Sequence, residues 1–222
     1  VSSLRGVKCL VTAGPTYEAI DPVRFIGNRS SGKMGIAIAE DLANRGAEVT
    51  LILGPSSEKI PNQIAKVVRV ESADDMYQAV MRVIKSARLG IFSAAVADYR
   101  PRAVAHEKIK KTGDQFSLDL IKTVDILAEV GKNKLANQVI VGFALETNNE
   151  EENAKQKIAK KNLDMIVLNS LNDKGAGFQH ATNQIVIIDK ENNSTKYELK
   201  SKLEVAVDIN NYIESNFFSI CD

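Results

Sequence analysis

The chain has 222 residues, enough for one domain with a substantial core, and its 29 Lys+Arg nearly balance 28 Asp+Glu for a formal charge of +1. That balance gives no footprint for a nucleic-acid surface or a polybasic membrane contact, and no apolar run approaches the roughly 18 residues of a membrane span. The opening Val1-Ser2-Ser3-Leu4-Arg5 lacks both a signal-peptide pattern and an initiator Met, so it reads as the start of a piece excised from a longer chain.

Short β-rich runs alternate with helical patterns, which predicts an α/β fold with a mostly parallel sheet between helical layers. A first strand over Lys8–Ala13 leads through a polar stretch, Gly14 to Gly35, into a helix over Ser31–Arg45. Ser30 or Ser31 is the expected N-cap of that helix, and Gly46 its C′ residue. Strands follow at Glu48–Leu53 and Lys66–Val70, then a helix at Ala73–Ser86 and a strand at Leu89–Ala94. From Ala105 to Ile121 the pattern changes to a β-hairpin with its turn at Thr112-Gly113-Asp114-Gln115, and Phe116, Leu118 and Leu120 alternate along the outgoing arm. A lone hairpin is marginal in water and must lean on its own core, a partner subunit or a ligand. A helix at Asp125–Asn133, a strand at Gln138–Leu145, a helix at Glu151–Lys161 and a strand at Met165–Leu168 restore the rhythm. An antiparallel pair, Gln184–Asp189 and Thr195–Leu199, turns at Asn192-Asn193 and precedes a last helix over Ser201–Asn216. No repeat or linker divides the chain, so residues 1–222 read as one domain.

Cys9 lies inside a strand and Cys221 beside the C-terminus, which argues against a disulfide framework and for a reducing, cytoplasmic setting. His106 and His180 share no ligand spacing with the cysteines, so no structural zinc is expected, and neither accompanies a nucleophile signature.

The most informative stretch is Arg24-Phe25-Ile26-Gly27-Asn28-Arg29-Ser30-Ser31-Gly32-Lys33-Met34-Gly35. A glycine-bearing loop that opens a helix offers unpaired N–H groups at the positive end of a helix dipole, and Arg24, Arg29 and Lys33 add cations, so an anion is the expected ligand. Gly27 to Lys33 imitates a P-loop, but Met34 stands where the Mg²⁺-binding hydroxyl belongs and some fourteen residues separate strand and glycine. A dinucleotide fingerprint fails twice. No G-x-G-x-x-G follows the first strand, and Leu53-Gly54-Pro55 ends the second where a ribose-binding acid should stand.

Ligands of open α/β sheets bind beyond the carboxyl ends of the strands. Phe92-Ser93-Ala94-Ala95-Val96-Ala97-Asp98 exits such a strand, and Asp98 serves there either as a ligand for a ribose hydroxyl or metal or as a plain turn residue. Phe143 fits core or a nucleobase contact, with core favoured. Lys157 and Lys161 share a helix face; they reach one polyphosphate or merely complement the dipole of a helix that Glu150, Glu151 and Glu152 open. Lys108 and Lys110 share a face of the hairpin arm, where charge commonly protects an edge.

Several of these motifs occur together in a known order. Thr12-Ala13-Gly14-Pro15-Thr16, Asp21 to Ile26, Asn28 to Gly35, Ala94 to Tyr99, Glu107 to Lys111 and Gly142 to Asn148 resemble phosphopantothenoylcysteine synthetase over nearly the whole chain. The resemblance is to the bacterial form, often fused behind a flavin-dependent decarboxylase. It implies a Rossmann-like three-layer α/β/α fold with a hairpin flap at about 105–121. It also implies a cytoplasmic homodimeric ligase that joins 4′-phosphopantothenate and cysteine. CTP is the co-substrate, with Mg²⁺ assisting; an acyl-cytidylate forms, and CMP and pyrophosphate leave. On the same resemblance Asn28 contacts the activated acyl group, Arg24 reaches the neighbouring subunit's substrate, and Ser30, Gly32 and Gly35 cradle phosphate, with Gly14 beside them. Phe92, Ser93, Ala94 and Asp98 read the nucleotide, and Ala94 and Ala95 adjoin the substrate. Lys108 is the catalytic lysine of the flap and a nucleotide contact, and Phe143, Lys157 and Lys161 contact the nucleotide. Val124, Asp125, Ile126 and Leu127 face cytosine. No residue is singled out as a metal ligand. Val124 replaces the family's proline, and Pro15 replaces a glycine, which removes one N–H near Gly14. A nucleotide-sensing domain without catalysis, and an NAD(P)-dependent oxidoreductase, are the rival readings.

Overall fold

In a computed structural model of the protein, residues 2–111, 113–146, 149–170 and 182–219 are described. The chain forms β1 (Lys8–Ala13), β2 (Tyr17–Ala19), β3 (Phe25–Gly27), α1 (Lys33–Asn44), β4 (Glu48–Leu53), β5 (Lys66–Arg69), α2 (Ala73–Val83) and β6 (Leu89–Phe92). It continues with β7 (Tyr99–Pro101), β8 (Leu120–Lys122), α3 (Ile126–Lys132), β9 (Val139–Glu146), α4 (Glu150–Lys161) and β10 (Met165–Ser170). After β11 (Thr182–Asn183), β12 (Ile185–Asp189), β13 (Ser194–Lys196) and β14 (Lys200–Ser201), α5 (Lys202–Phe217) closes the order. No helix among the described residues is long and apolar enough to cross a membrane.

The central sheet is eight-stranded, in the order β13-β12-β10-β9-β6-β1-β4-β5. From β5 to β10 neighbouring strands pair in parallel, whereas β12 and β13 add an antiparallel edge. Counted by appearance, the parallel strands follow the doubly wound order 3-2-1-4-5-6, whose direction reverses between β1 and β6. A crevice is expected beyond Ala13 and Phe92.

Strand alternation builds the two cores. Cys9, Val11, Val49, Leu51, Val141 and Val167 face the layer made by Ile38 and Leu42 of α1 and Ile209 and Ile213 of α5. Their neighbours Leu10, Ile52, Ile140, Ile166 and Leu168 face Met76 and Val80 of α2, Leu127 of α3 and Ile158 of α4. A one-residue shift would exchange the two sets, so burial on both faces fixes register. Ser72 and Asp75 form a capping box for α2, and Ser201 and Glu204 form another for α5. Helix α1 ends as expected. Gly46 has φ 88°, its N–H donates to Ala43 O at 2.9 Å, and the Ala47 N–H donates to Leu42 O at 3.1 Å.

Two expectations need correction. The N-cap of α1 is Gly32, with φ 86° and no side-chain cap. Ser30 Oγ and Ser31 Oγ instead accept from the Gly32 and Lys33 N–H groups at 3.3 and 3.4 Å, folding the loop on itself before the helix starts. The hairpin over Ala105–Ile121 does not form. Pairing lies further out, where Tyr99–Pro101 meets Leu120–Lys122 antiparallel, and the described residues from 102 to 119 hold no regular strand. Thr112 of the expected turn falls outside the described residues. The alternation of Phe116, Leu118 and Leu120 has no apolar layer to face, and Lys108, Lys110 and Lys111 would repel along one arm.

Candidate functional site

The segment after β6 is laced to its surroundings by backbone groups. Ser93 Oγ donates to Thr12 O at 2.7 Å, and Ala94 N–H donates to Thr12 Oγ1 at 3.3 Å. Ala95 N–H reaches Gly14 O at 2.9 Å, and Ala97 N–H reaches Thr16 Oγ1 at 3.0 Å. From the far side, Thr123 Oγ1 donates to Ala97 O at 2.6 Å and Thr123 N–H to Asp98 O at 3.0 Å. Asn28 Nδ2 donates to Ala95 O and Val96 O at 3.0 and 3.3 Å, joining the loop before α1 to this strand end. Thr12 and Thr16 are buried, and their hydroxyls serve backbone N–H groups that have left the ladder.

Gly35 lets α1 lie directly on this frame. A Cβ there would come within 2.4 Å of Ser93 Oγ and 2.5 Å of Ala13 Cβ. Its expected role next to a phosphate is therefore at least partly one of close packing.

Two cavities open beyond the strand ends. One, of about 530 Å³, has apolar walls from Met76, Phe92, Val96, Ile126, Leu127 and Phe143. Polar groups enter it from Asp98, Val124, Asp125, Lys157 and Lys161. The other, of about 430 Å³, is bounded by Asn28, the loop Ser30–Gly32, Gly35, and Ser93 to Val96. Ala94, Val96, Asp98, Phe143 and Lys157 line both, so they are two compartments of one cleft. Phe143, assigned to core on sequence alone, is a shared wall. Thr12, Met76, Lys33, Asn169, Asn183 and Lys202 also line the cleft. Of these only Lys33 carried a sequence signal, because the others come from elements brought together by the doubly wound order.

Lys161 and Asp125 do not face the cleft independently. Lys161 Nζ lies 2.7 Å from Asp125 Oδ2, while Asp125 Oδ1 accepts the Ala128 N–H at 3.0 Å as the N-cap of α3. Burial would raise the Asp125 pKa, but the Lys161 contact, the Ala128 N–H and the Lys157 charge outweigh it and hold the carboxyl below its usual range.

Three expected residues lie outside both compartments. Gly14 is buried behind Gly32, whose added Cβ would meet Gly14 N at 3.2 Å. Arg24 pairs with buried Asp21 through Nε and Nη2, and its Nη2 also donates to Ile109 O at 3.0 Å. Asp21 Oδ2 accepts the Ile109 N–H at 3.1 Å, and the Arg24 bond leads the contacts that lower the Asp21 pKa far below the carboxylate range. Lys108 is exposed beside this anchor and lines neither cavity. Thr147 and Asn148 of the Gly142–Asn148 motif, His180 and Cys221 fall outside the described residues.

A doubly wound sheet with an apolar compartment and a cation-bearing loop meeting at its switch point defines a mononucleotide-binding α/β domain. Sequence comparison narrows that class. The chain belongs to the family described as DNA/pantothenate metabolism flavoprotein C-terminal domain, whose model matches residues 4–217. It is 46% identical over 206 residues to the coenzyme A biosynthesis bifunctional protein CoaBC of Bacillus subtilis (strain 168), covering 93% of this chain and 50% of that one. The CoaBC of Haemophilus influenzae is 48% identical over 210 residues, covering 95% and 52%. A relative from an unknown prokaryotic organism, named cysteine/cysteine sulfinic acid decarboxylase, is 52% identical over 206 residues, covering 93% and 57%. The chain thus spans about half the length of these curated relatives.

Among solved structures, a C-terminal domain of CoaBC superposes with a TM-score of 0.81 at 43% identity, covering 96% of this chain and 98% of that one. The DNA/pantothenate metabolism flavoprotein of Streptococcus pneumoniae gives 0.81 at 25%, covering 95% and 99%. These likenesses cover the described sheet and both helical layers.

Proposed function

We propose that the chain is the ligase unit of coenzyme A biosynthesis that joins 4′-phosphopantothenate to L-cysteine, with CTP as the activating nucleotide. The observation that carries this reading is the two-compartment cleft. The apolar compartment, with Asp98 at its rim, suits a base and ribose, and the compartment at the start of α1 suits phosphate oxygens. The pantothenate carboxylate attacks the α-phosphorus of CTP; pyrophosphate leaves and an acyl-cytidylate forms. The cysteine amine then attacks the acyl carbon and CMP leaves with the bonding pair.

This chain's contribution is positioning and charge. Asn28 stands at the junction of the compartments, Ala94 and Ala95 leave room for the acyl chain, and Val124 to Leu127 border the base. Lys157 and Lys161 address the nucleotide phosphates, with Lys161 exchanging Asp125 for that anion. Among the described residues no cluster of three His, Cys, Asp or Glu is placed to hold a metal. Mg²⁺ typically takes one or two carboxylates plus substrate phosphates, so Asp98 fits as its protein ligand, and the ion would supply charge neutralisation there.

A two-fold dimer is part of the proposal. Phe25 stacks on Tyr17 with ring centroids 3.8 Å apart, yet Phe25 is 51% exposed and Phe116 is 59% exposed. These rings and Val23 and Val104 form apolar surface around the anchor of the 102–119 segment. Arg24 completes the neighbour's substrate site on this reading. A fused flavin-dependent decarboxylase in the longer protein would supply the next step, because half of each curated relative lies outside the match.

The test is pyrophosphate release, which must require CTP and phosphopantothenate together, followed by cysteine-dependent release of CMP. Binding of CTP without release would assign the chain to a sensing role. For the dimer, Arg24→Ala and Asn28→Asp chains are mixed; recovery of up to about half of parental activity per mixed dimer is expected on two-fold logic. No recovery after confirmed subunit exchange would return Arg24 to its own subunit's site.

A further inference from the structure

The compartment beside α1 carries a charge imbalance that the residues assigned so far do not explain. Lys33, Lys157 and Lys202 line it, and Asp98 is the one carboxylate among its described lining residues. Lys33 is the first residue of α1 and Lys202 the first of α5, so two helices start at one cavity and each places a lysine there. A cation at a helix N-terminus opposes the dipole, and two at one cavity add mutual repulsion. The arrangement is costly without an anion. Glu58 offsets part of it, with Oε1 3.5 Å from Lys33 Nζ. Burial and then the Lys33 charge push the Lys202 pKa down, against a smaller opposing effect of Glu58. Behind the lysines, Asn183 Nδ2 donates to Asn169 Oδ1 at 2.9 Å, which turns the Asn169 amide group into a donor beside the same cavity.

We propose that Lys33 and Lys202, assisted by the Asn169 amide, form the subsite that holds the two terminal phosphates of the nucleotide and then the departing pyrophosphate. The assignment rests on the ligase reading above and adds a cation from the far end of the chain to it. The cleft runs from the apolar compartment past Lys157 to these helix starts, so a nucleotide whose base occupies the first compartment extends its phosphates toward Lys33 and Lys202. Two helix N-termini and two ammonium groups match a dianionic diphosphate better than a single carboxylate. The same chemistry would suit the phosphate of phosphopantothenate, and the experiment separates the two sources.

Binding of inorganic pyrophosphate, CTP, CMP and phosphopantothenate is measured by titration calorimetry on the parent and on Lys202→Met, Lys33→Met and Lys202→Arg. Leu203→Gln, at the exposed next residue of α5, is the control. Each Met variant should weaken pyrophosphate and CTP by about tenfold or more, the worth of one charge-assisted contact, while CMP changes by less than about twofold. Lys202→Arg should restore most of the loss, and Leu203→Gln should match the parent. Thermal melting confirms folding; removing one of two facing cations should not lower stability. Parental affinity for pyrophosphate in Lys202→Met would overturn the proposal, as would a loss confined to phosphopantothenate or a parent that binds no pyrophosphate. If the parent binds pyrophosphate through these lysines but releases none from CTP, the ligase reading fails and the subsite stands.

Discussion

The strand-end frame and the segment between β7 and β8 border the same cleft, yet they are built in opposite ways. In the frame, residues 12–16 and 93–98 exchange six hydrogen bonds of backbone or buried hydroxyl groups, and Thr16 is 0% exposed. The segment from 102 to 119 is held at its root by Arg102 and Asp119, which are exposed, and by the Asp21–Arg24–Ile109 anchor. A frame fixed in advance spends no binding energy on ordering, which suits the nucleotide. A segment with few buried contacts can rearrange over a bound substrate, which suits the catalytic step. The contrast teaches where to look for affinity and where for turnover.

Asn28→Asp tests the junction and should have the largest effect. It removes a donor from the reacting centre and sets a carboxylate against Ala95 O and Val96 O, so turnover should fall on the order of 10²–10³ with the fold retained. Steady-state kinetics within twofold of the parent would remove Asn28 from the mechanism. Lys108→Gln, on the mobile side of the comparison, should lower kcat roughly ten- to a hundredfold while leaving CTP affinity within about threefold. Equal single-turnover rates of pyrophosphate release and amide formation in variant and parent would leave Lys108 as an edge charge.

Frame variants should instead show in stability. Gly35→Ala forces a methyl into Ser93 Oγ and Ala13 Cβ and should cost about 1–3 kcal/mol in urea unfolding. Thr16→Val strands the buried Ala97 N–H and should cost about 1–3 kcal/mol, with weaker CTP binding because Asp98 is next in the chain. Unchanged unfolding midpoints in both would break the proposed division of labour. The smallest effect is that of acid far from the cleft. Glu214 is held near a pKa of about 2 against an ordinary 4.5: burial opposes this, but Ser2, Arg45 and Ser3 donate to it. Because the unfolded state binds that proton first, the contribution is complete above about 4.5 and is lost as pH falls toward 2. Glu214→Gln should flatten that part of the stability profile, and an unaltered slope between pH 5 and 3 would show that other groups set it.

The sheet was legible because each strand is buried on two faces and bounded by turn residues. Lys8–Ala13 and Glu48–Leu53 appear with the boundaries their apolar runs suggest, and other ends move by a few residues. The segment 105–121 misled because alternation describes a strand only where an apolar layer receives one face. Of the site, loop and strand-end residues were readable because the switch point needs small residues and a helix start there. Thr16, Met76, Asn169 and Lys202 were not, since each looks like ordinary core or surface until topology brings it to the cleft. Arg24 and Lys108 were named for roles that this single subunit does not assemble.

The Glu214 contact has a consequence of another kind. Glu214 Oε1 accepts from Ser2 Oγ, Ser3 N and Ser3 Oγ, so residues more than two hundred apart in sequence meet through one carboxylate. The polypeptide is nearly a closed ring. A short bridge from Ser3 to the end of α5 would leave every strand in its place, and a new opening at the exposed Asn192 turn would cut no pairing between β12 and its parallel neighbour β10. Such a circular permutant should retain the cleft, because nothing in its architecture depends on which residue the ribosome reads first.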